Sequence, residues 1–330
     1  MDVKWAIKEL ELKPDFRDFD NCDIIFAFLQ SLPSLQSFSY SQICRRPITP
    51  ARLPQLLSSL QHLPLIKFSL KTGTFERLQG PVIEGLRGLQ ALSITWTLGD
   101  HPDQPGSSHE QLMKLIRPSL ASLVDLCIKN EPSKLDSHFD LWSIKDAGTT
   151  LTSFEYALQS LDDSILDTIP TIFPNLTKLS ISWNNLATGY SLPWQDAHAK
   201  ILSRNTNLIE LKLSSDFEKN SNDPVTADTD YAWYVRSYKR RLEASQIVAQ
   251  VCTKLQRCSW LQWRIGRVKN SSMLHPFVIE EQTLHGNVVR RARGVKQYWM
   301  GRDQEDEWRE GIIVKCRLED LPGDIIGEND

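Results

Sequence analysis

Apolar residues recur along the chain at positions 1, 4 and 6 of short segments, with polar or small residues between them. Such alternation is typical of β-strands, whose successive side chains point to opposite faces. The pattern predicts nine strands, and from Ile7 to Leu208 seven intervals span 201 residues, about 29 each. The position 1/4/6 residues are Ile7/Leu10/Leu12, Leu35/Phe38/Tyr40, Leu65/Phe68/Leu70, Leu89/Leu92/Ile94, Leu123/Leu126/Ile128, Leu151/Phe154/Tyr156, Leu176/Leu179/Ile181, Leu208/Leu211/Leu213 and Leu255/Cys258/Trp260.

Between these strands the apolar spacing lengthens to that of a helix, so the pattern predicts alternating strands and helices. The predicted helices are 23–30, 53–60, 110–116, 162–169 and 196–202, and the longest is Tyr231 to Cys252. Pro33, Pro64 and Pro174 each stand just ahead of a predicted strand. Because proline has a fixed φ and no backbone N–H, each is expected to stop the preceding helix.

Two polar segments interrupt the repeating pattern. Residues 97–108 are rich in turn-forming residues, and residues 214–230 contain a single aromatic residue, Phe217. Both follow a predicted strand, so we expect them as exposed loops on one rim of the sheet. Disorder is the alternative interpretation of each segment.

One strand segment resembles the leucine-rich-repeat template L-x-x-L-x-L-x-x-N-x-L. Residues Leu176 to Leu186 fit every specified position, with Asn184 at the place where the chain turns off the strand. The resemblance implies an α/β leucine-rich-repeat solenoid, with a curved parallel sheet inside and helices outside. We expect about nine irregular repeats over residues 1–263.

After Trp263 the repeat register ends, and the remaining residues, 264–330, contain short β-like runs. These runs are 276–279, 287–289, 295–300 and 311–316, with a turn expected at 285–287. A stack of repeats must cover the apolar end of its last unit. The segment is therefore predicted to be a small β-rich C-terminal cap with an acidic tail.

Composition indicates a soluble folded chain, with 41% hydrophobic and 24% charged residues among 330. The first ten residues lack the apolar core of a signal peptide, and the run Ile24 to Leu29 is too short to cross a bilayer. We expect a cytoplasmic or nuclear protein without membrane association. The six cysteines are scattered, which favours buried reduced thiols over a disulfide framework.

No motif predicts catalysis or cofactor binding. The chain contains neither a glycine-rich phosphate loop nor a G-x-S-x-G nucleophile turn, and His109-Glu110 lacks the second histidine of a zinc protease. Each of the seven histidines stands alone in sequence. The expectation is therefore a non-enzymatic protein with no cofactor and no metal.

The candidate partner-binding residues lie at positions 3, 5, 7 and 8 of the strand segments. Strand alternation sends positions 3, 5 and 7 toward solvent, and tryptophan occupies position 8 in two units, at the strand exit. Aromatic residues at such an edge are suited to anchoring a partner, although packing beneath the rim loops is the alternative. The candidates are Lys67, Lys71, Ser93, Trp96, Asp125, Lys129, Glu155, Lys178, Ser180, Trp183, Glu210 and Lys212.

Charge is distributed unevenly although the net charge is −3. Residues 231–300 hold thirteen Lys and Arg against three Asp and Glu, a balance of +10, whereas 301–330 hold four against ten, a balance of −6. Aromatic residues are interleaved with the basic ones, a combination that binds nucleic acid or phosphoprotein. Pairing with the acidic stretch 303–310 is the alternative. The alternative basic patch comprises Arg236, Lys239, Arg240 and Arg241.

Three segments, 32–38, 173–181 and 252–258, resemble the irregular repeats of fungal F-box and leucine-rich-repeat proteins. In that family the F-box docks on a ubiquitin-ligase adaptor and the repeats hold the substrate. The first repeat starts near Ile7, so we expect no F-box here, and adaptor binding is not implied. The resemblance implies a protein-binding scaffold of the substrate-recognition type, with its partner on the concave face and rim loops.

Overall fold

The computed structural model describes residues 6–12, 22–41, 52–72, 86–97, 107–131, 140–158, 163–183, 194–215, 217, 231–264, 271–284 and 287–295. The chain forms two compact units, which we describe separately. The first comprises 1–161, 171–176 and 183–189, and the second comprises 162–170, 177–182 and 190–330. The fold is mixed α/β with a long parallel sheet.

In the first unit the described strands form a parallel sheet in chain order. Parallel neighbours need a crossover connection, which the intervening helices and turns supply. The strands are β1 (Glu9–Leu12), β2 (Ser37–Ser41), β3 (Lys67–Thr72), β4 (Ala91–Thr97), β5 (Asp125–Glu131) and β6 (Ser153–Leu158).

In the second unit the pairing changes from parallel to antiparallel. β7 (Lys178–Trp183), β8 (Glu210–Ser214) and β9 (Arg257–Arg264) are parallel neighbours. β10 (Ser271–Leu284) and β11 (Asn287–Gly294) then form an antiparallel hairpin on β9. The β-runs expected at 276–279 and 287–289 are therefore strands, whereas 295–300 and 311–316 fall largely or wholly outside the described residues. The boundary at residue 263 stays a prediction.

Every predicted helix is present within two or three residues of its expected bounds. The described α-helices are α1 (Cys22–Gln30), α2 (Arg52–Leu60), α3 (Ser107–Ile116), α4 (Asp163–Ile172), α5 (Asp196–Leu202) and α6 (Tyr231–Val251). Pro33, Pro64 and Pro174 each follow the end of a helix, as predicted. Two 3₁₀ helices, Arg117–Ser122 and Leu141–Ala147, were not predicted; the second starts at Asp140, whose carboxylate accepts a hydrogen bond from Trp142 N.

The predicted register is confirmed in all nine repeated strands. Position-4 residues pair along each sheet, as in Leu92 with Leu126 and Leu179 with Leu211. From β2 to β9, positions 1, 4 and 6 are buried and form the core. Seven position-2 carbonyls make the same contact, in that each accepts two backbone N–H groups from the next repeat, as Gln36 O does from Ile66 and Lys67. They belong to Lys8, Gln36, Ile66, Gln90, Val124, Thr177 and Ile209. The same hydrogen bond thus recurs at the same repeat position.

The polar insertions differ from the expectation where the structure describes them. Ser214, Ser215 and Phe217 are buried rather than in an exposed loop. Phe217 packs edge-on against Trp260, with ring centroids 4.9 Å apart, because an apolar ring gains by leaving water wherever a core can receive it. Ser107 and Ser108 begin α3. Residues 98–106 and 218–230, together with Asn184, lie outside the described residues.

Helix α6 covers the outer edge of β11. Gln246 Nε2 donates to Arg290 O at 2.6 Å, and Gln246 Oε1 accepts from Ala292 N at 2.9 Å. Arg290 Nη1 donates to Ala249 O at 2.8 Å and also to Cys252 O, and its Nη2 donates to Leu255 O. Carbonyls in the last turn of a helix lack intrahelical donors, so this guanidinium supplies a donor to Ala249 O, whereas Cys252 O also accepts from Leu255 N at 3.0 Å.

Candidate protein-binding surface

The outward face of the sheet in the first unit has a floor of small hydroxyl side chains. Ser39, Ser69 and Ser93 occupy position 5 in three consecutive strands and are paired in register. Adjacent strands are about 4.8 Å apart, so these three residues span roughly 10 Å. All three are half-buried. Because serine side chains are short, no long side chain of this floor shields its hydroxyl and backbone groups from a partner.

An ion pair borders this floor on β5 and β6. Lys129 Nζ lies 3.1 Å from Glu155 Oε1, and the Cys127 thiol donates to Glu155 Oε2 at 3.4 Å. Burial raises the pKa of Cys127 to about 11, and the Glu155 carboxylate adds to the increase. Cys127 is therefore a thiol at neutral pH, and a thiol is a poor nucleophile. Its environment fits a hydrogen-bond donor rather than a catalytic cysteine.

In the second unit a carboxylate lies between two cations on the outward face. Glu210 Oε2 is 3.7 Å from Lys178 Nζ, and Glu210 Oε1 is 2.9 Å from Arg257 Nη2. The three residues share position 3 on β7, β8 and β9, which explains why register alone brings them together. Arg257 was not among the predicted site residues, although its position-3 register was visible in the sequence.

The two outward faces differ in charge. On the described strands of the first unit, positions 3, 5 and 7 carry three lysines and four carboxylates, so 3 − 4 = −1. In the second unit they carry two lysines, one arginine and one glutamate, so 3 − 1 = +2. The residues counted in the first unit are Lys67, Lys71, Lys129, Glu9, Glu11, Asp125 and Glu155; those in the second are Lys178, Lys212, Arg257 and Glu210.

The structure groups the predicted partner-binding residues by unit. In the first, Lys67 and Asp125 are exposed, and the half-buried ones are Lys71, Ser93, Lys129 and Glu155. In the second, Lys178 is exposed, and the half-buried ones are Ser180, Glu210 and Lys212. Trp96 and Trp183 are in β4 and β7, but their side chains lie outside the described residues. Their anchoring role stays a prediction.

Position 7 departs from the expected exposure at β8 and β9. Ser214 and Leu261 are paired in register, and both are buried. Strand alternation sets the face that a side chain occupies, but it does not set whether that face is covered at a particular strand end. This end of the outward face in the second unit is therefore not a floor open to a partner.

The alternative basic patch is not a continuous basic surface. Arg241 is only 2% exposed, with its guanidinium 5.8 Å from the Phe217 ring centroid, so its expected place on a surface is wrong. Arg240 Nη1 donates to Phe217 O at 2.6 Å, and Lys239 is exposed. The side chain of Arg236 lies outside the described residues, as do residues 303–310. Sequence position on one helix could not reveal which arginines face inward.

The neighbouring arginines on β11 also have internal partners. Arg293 pairs with Glu280 at 2.7 Å, and Arg290 Nε is 3.6 Å from Glu281. In the part of the chain that the structure describes, no group of three His, Cys, Asp or Glu residues could hold a metal ion. No helix within the described ranges is long and apolar enough to cross a membrane.

These features define an α/β chain of repeated strand–helix units with an outward sheet face of short polar and paired charged residues. No protein-family model matches the chain, and neither does any curated protein. Among solved structures it is similar to the leucine-rich repeat-containing protein LegL7 from Legionella pneumophila, at 16% sequence identity and a TM-score of 0.35. That similarity covers 77% of this chain and 74% of the other, and at this score it does not place the chain in a family.

Proposed function

We propose that this chain is a leucine-rich-repeat solenoid that binds a protein partner through the outward face of its parallel sheet, without chemistry of its own. The observation that carries the proposal is the register-matched floor of Ser39, Ser69 and Ser93 beside the Lys129–Glu155 ion pair. Small side chains let a partner approach the sheet, and fixed charges supply orientation. The uniformly apolar opposite face is used for the core.

The ion pairs on this surface favour specificity over strong nonspecific attraction. Glu155 and Glu210 each hold a cation beside them, so their charges are already oriented before a partner arrives. A partner of complementary charge associates with such a surface faster than a neutral one. A partner that would place like charges next to each other binds more weakly. The +2 balance of the second unit favours an acidic segment of the partner at that unit.

A finer form of the proposal is substrate recognition of the ubiquitin-ligase type. It is supported only by the resemblance of segments 32–38, 173–181 and 252–258 to F-box and leucine-rich-repeat proteins. If the bound protein is a ligase substrate, depleting this chain in cells should lengthen the half-life of that protein. An unchanged half-life would leave a scaffold that binds without recruiting a ligase.

Nucleic-acid or phosphoprotein binding through 231–300 is the second candidate that the sequence raised. The described arginines of this segment weaken it, because Arg240, Arg241, Arg290 and Arg293 all contact other parts of the chain. Lys239 and Arg291 are exposed. Steeply salt-dependent capture of nucleic acid would restore this candidate.

A photo-crosslinking residue at two matched serines tests the proposal. Ser93 is at position 5 of β4 on the outward face, whereas Ser58 is exposed on α2. With p-benzoylphenylalanine at each site in turn, a defined protein adduct is expected from Ser93 and not from Ser58 in cell lysate. Adducts that form equally at both sites, or only at Ser58, would contradict binding at the sheet face.

A further inference from the structure

In the second unit, one row of side chains crosses five neighbouring strands on the outward face. The strand register pairs Lys178 with Glu210, Glu210 with Arg257, Arg257 with Val278, and Val278 with Arg293. Residues directly opposite each other in neighbouring strands lie on the same face of a sheet. The adjacent row lies on the opposite face and is buried in β7 to β10, at Leu179, Leu211, Cys258 and Phe277. The row of charged residues therefore continues from the repeats onto the C-terminal hairpin.

The hairpin repeats the arrangement seen around Glu210, in which one carboxylate borders two cations. Glu280 Oε1 accepts from Arg293 Nε at 2.9 Å and from Arg293 Nη2 at 2.7 Å. Arg291 is the register partner of Glu280 and shares its face. One carboxylate balances only one of two cations, so each arrangement keeps a surplus positive charge.

The cations of the row are more exposed than its carboxylates. The side chains of Lys178, Arg257 and Arg293 are 59%, 66% and 52% exposed. Those of Glu210 and Glu280 are 29% and 36% exposed. The hairpin adds two arginines and one glutamate to this face, so 2 − 1 = +1, and the balance of the described strands in the second unit rises from +2 to +3. A partner therefore meets mainly positive charge.

The spacing of these cations defines the conformation of a matching ligand. Lys178, Arg257 and Arg293 are on every second strand, so they lie roughly 9.6 Å apart along the row. A polyproline II segment has three residues per turn and rises about 3.1 Å per residue, so every third side chain returns to the same side after about 9.3 Å. Acidic residues three positions apart in such a segment would therefore meet each cation in turn.

A continuous polyanion matches the row less well. A nucleic-acid backbone carries a negative charge at every phosphate, so some phosphates would lie beside Glu210 and Glu280. Carboxylates at every third residue of a polyproline II segment would lie beside the cations alone. The alternation of cations with other residues along the row therefore favours an acidic protein segment over nucleic acid.

We propose that Lys178, Arg257 and Arg293 bind an acidic segment of a partner protein in the polyproline II conformation, with Asp or Glu at every third residue. This inference rests on the proposed use of the outward sheet face and names the chemistry of the partner there. A guanidinium has five N–H donors, so an arginine that contacts one carboxylate can bind a second. Charge complementarity supplies specificity and a fast association rate.

A fluorescein-labelled peptide of three Pro-Pro-Glu triplets tests the inference with the full chain, because its prolines favour the polyproline II conformation. Fluorescence anisotropy should show saturable binding. A peptide of the same composition with its three glutamates consecutive keeps the charge but loses the spacing, so it should bind about fivefold more weakly or worse. A labelled tetrathymidylate, whose three phosphates match the charge of the peptide, should also bind more weakly than the triplet peptide.

Charge reversal at the centre of the row tests the alignment of the peptide. Arg257→Glu should weaken binding of the triplet peptide about tenfold or more, and this variant should prefer a version whose middle glutamate is lysine. Lys200→Glu is the matched control, because it makes the same charge reversal at an exposed position on α5 and should stay within about twofold of wild type. If circular dichroism shows that Arg257→Glu is unfolded, Arg257→Gln replaces it, and clear weakening of triplet-peptide binding is again expected.

Four results would each overturn the inference: no saturable binding, equal binding of the consecutive-glutamate peptide, tighter binding of the tetrathymidylate, or equal weakening by Lys200→Glu. The proposed function fails separately, because its test is crosslinking at Ser93 on β4, which is not part of this row. A protein adduct at Ser93 without binding of the triplet peptide would leave the sheet-face proposal standing and overturn this one.

Discussion

The first and last described strands differ in how their outer edges are treated. At β11 the chain covers its own edge: Gln246 of α6 bonds to both Arg290 O and Ala292 N, and Tyr238 packs so closely on Gly294 that a Cβ there would clash with the tyrosine hydroxyl. At β1 no described strand lies beside the edge opposite β2, and Leu10 and Leu12 are half-buried, whereas Phe38 and Tyr40 at the same positions of β2 are buried. The covered strand β11 therefore gains stability from contacts that the structure does not show for β1.

The largest expected effect comes from one substitution made at the same repeat position in two strands. Leu179, at position 4 of β7, is 2% exposed, whereas Leu10, at position 4 of β1, is half-buried. Leu179→Asp should lower the free energy of unfolding by roughly 4 kcal/mol or more, because a carboxylate enters an apolar layer. Leu10→Asp should cost about 1 kcal/mol. Urea denaturation measures both, and equal losses would contradict the difference in burial.

The next effect tests the covered edge. Arg290→Met removes the donor to Ala249 O, Cys252 O and Leu255 O, so the free energy of unfolding should fall by about 3 kcal/mol. Arg291→Met changes an exposed neighbour on the same strand and should stay within about 0.5 kcal/mol of wild type. A thermal melt of both variants is sufficient, and a wild-type midpoint for Arg290→Met would show that these carbonyls find other donors.

A smaller loss of stability is expected when only the hydrogen bonds between Gln246 and the edge of β11 are removed. Gln246→Leu keeps the approximate size of the side chain but leaves Arg290 O and Ala292 N without their partner, at a cost of about 1–2 kcal/mol. Hydrogen exchange at Ala292 should also become faster, because its amide loses its acceptor. Gln250→Leu, exposed one turn further along α6, is the control. Unchanged exchange at Ala292 would mean that another group protects this edge.

The smallest effect depends on pH. Burial lowers the pKa of His275 well below its ordinary value near 6.5, and the nearby Arg241 guanidinium lowers it further. The folded state therefore binds fewer protons than the unfolded state, so stability falls as pH decreases from about 6.5 toward the lowered pKa. Each unit of lowering corresponds to about 1.4 kcal/mol. His275→Gln should flatten this slope between about pH 6.5 and pH 5, whereas His62→Gln, at an exposed position, should not.

The repeated part of the fold could be predicted from sequence because its signals are local. The spacing of Leu176, Leu179 and Ile181 sets both the strand and the face that is buried, and Pro174 ends the helix before it. Parallel register then follows, because seven of the nine repeats make the same position-2 hydrogen bonds.

The remaining features depend on contacts between residues far apart in sequence. Arg241 and Phe217 pack together across 24 positions, and Gln246 bonds to β11 residues 44 and 46 positions away. No local periodicity encodes such pairs, so burial of Arg241 and the covered edge of β11 could not be anticipated. The candidate site was predictable only in part. The repeat register predicts which of its residues lie in the same row, but the two ion pairs of Glu210, with Lys178 and with Arg257, are seen only from the side-chain positions.

Binding through the outward sheet face is the central claim, and a steric block on the serine floor tests it most directly. Ser93→Arg places a long side chain between Ser69 and Cys127 on that face, whereas Ser58→Arg places the same side chain on α2. With the protein captured through Ser93 as the ligand, calorimetry should show a loss of about 2 kcal/mol in binding for Ser93→Arg, and wild-type affinity for Ser58→Arg, with both melting curves unchanged. Full affinity in a folded Ser93→Arg variant would contradict the claim.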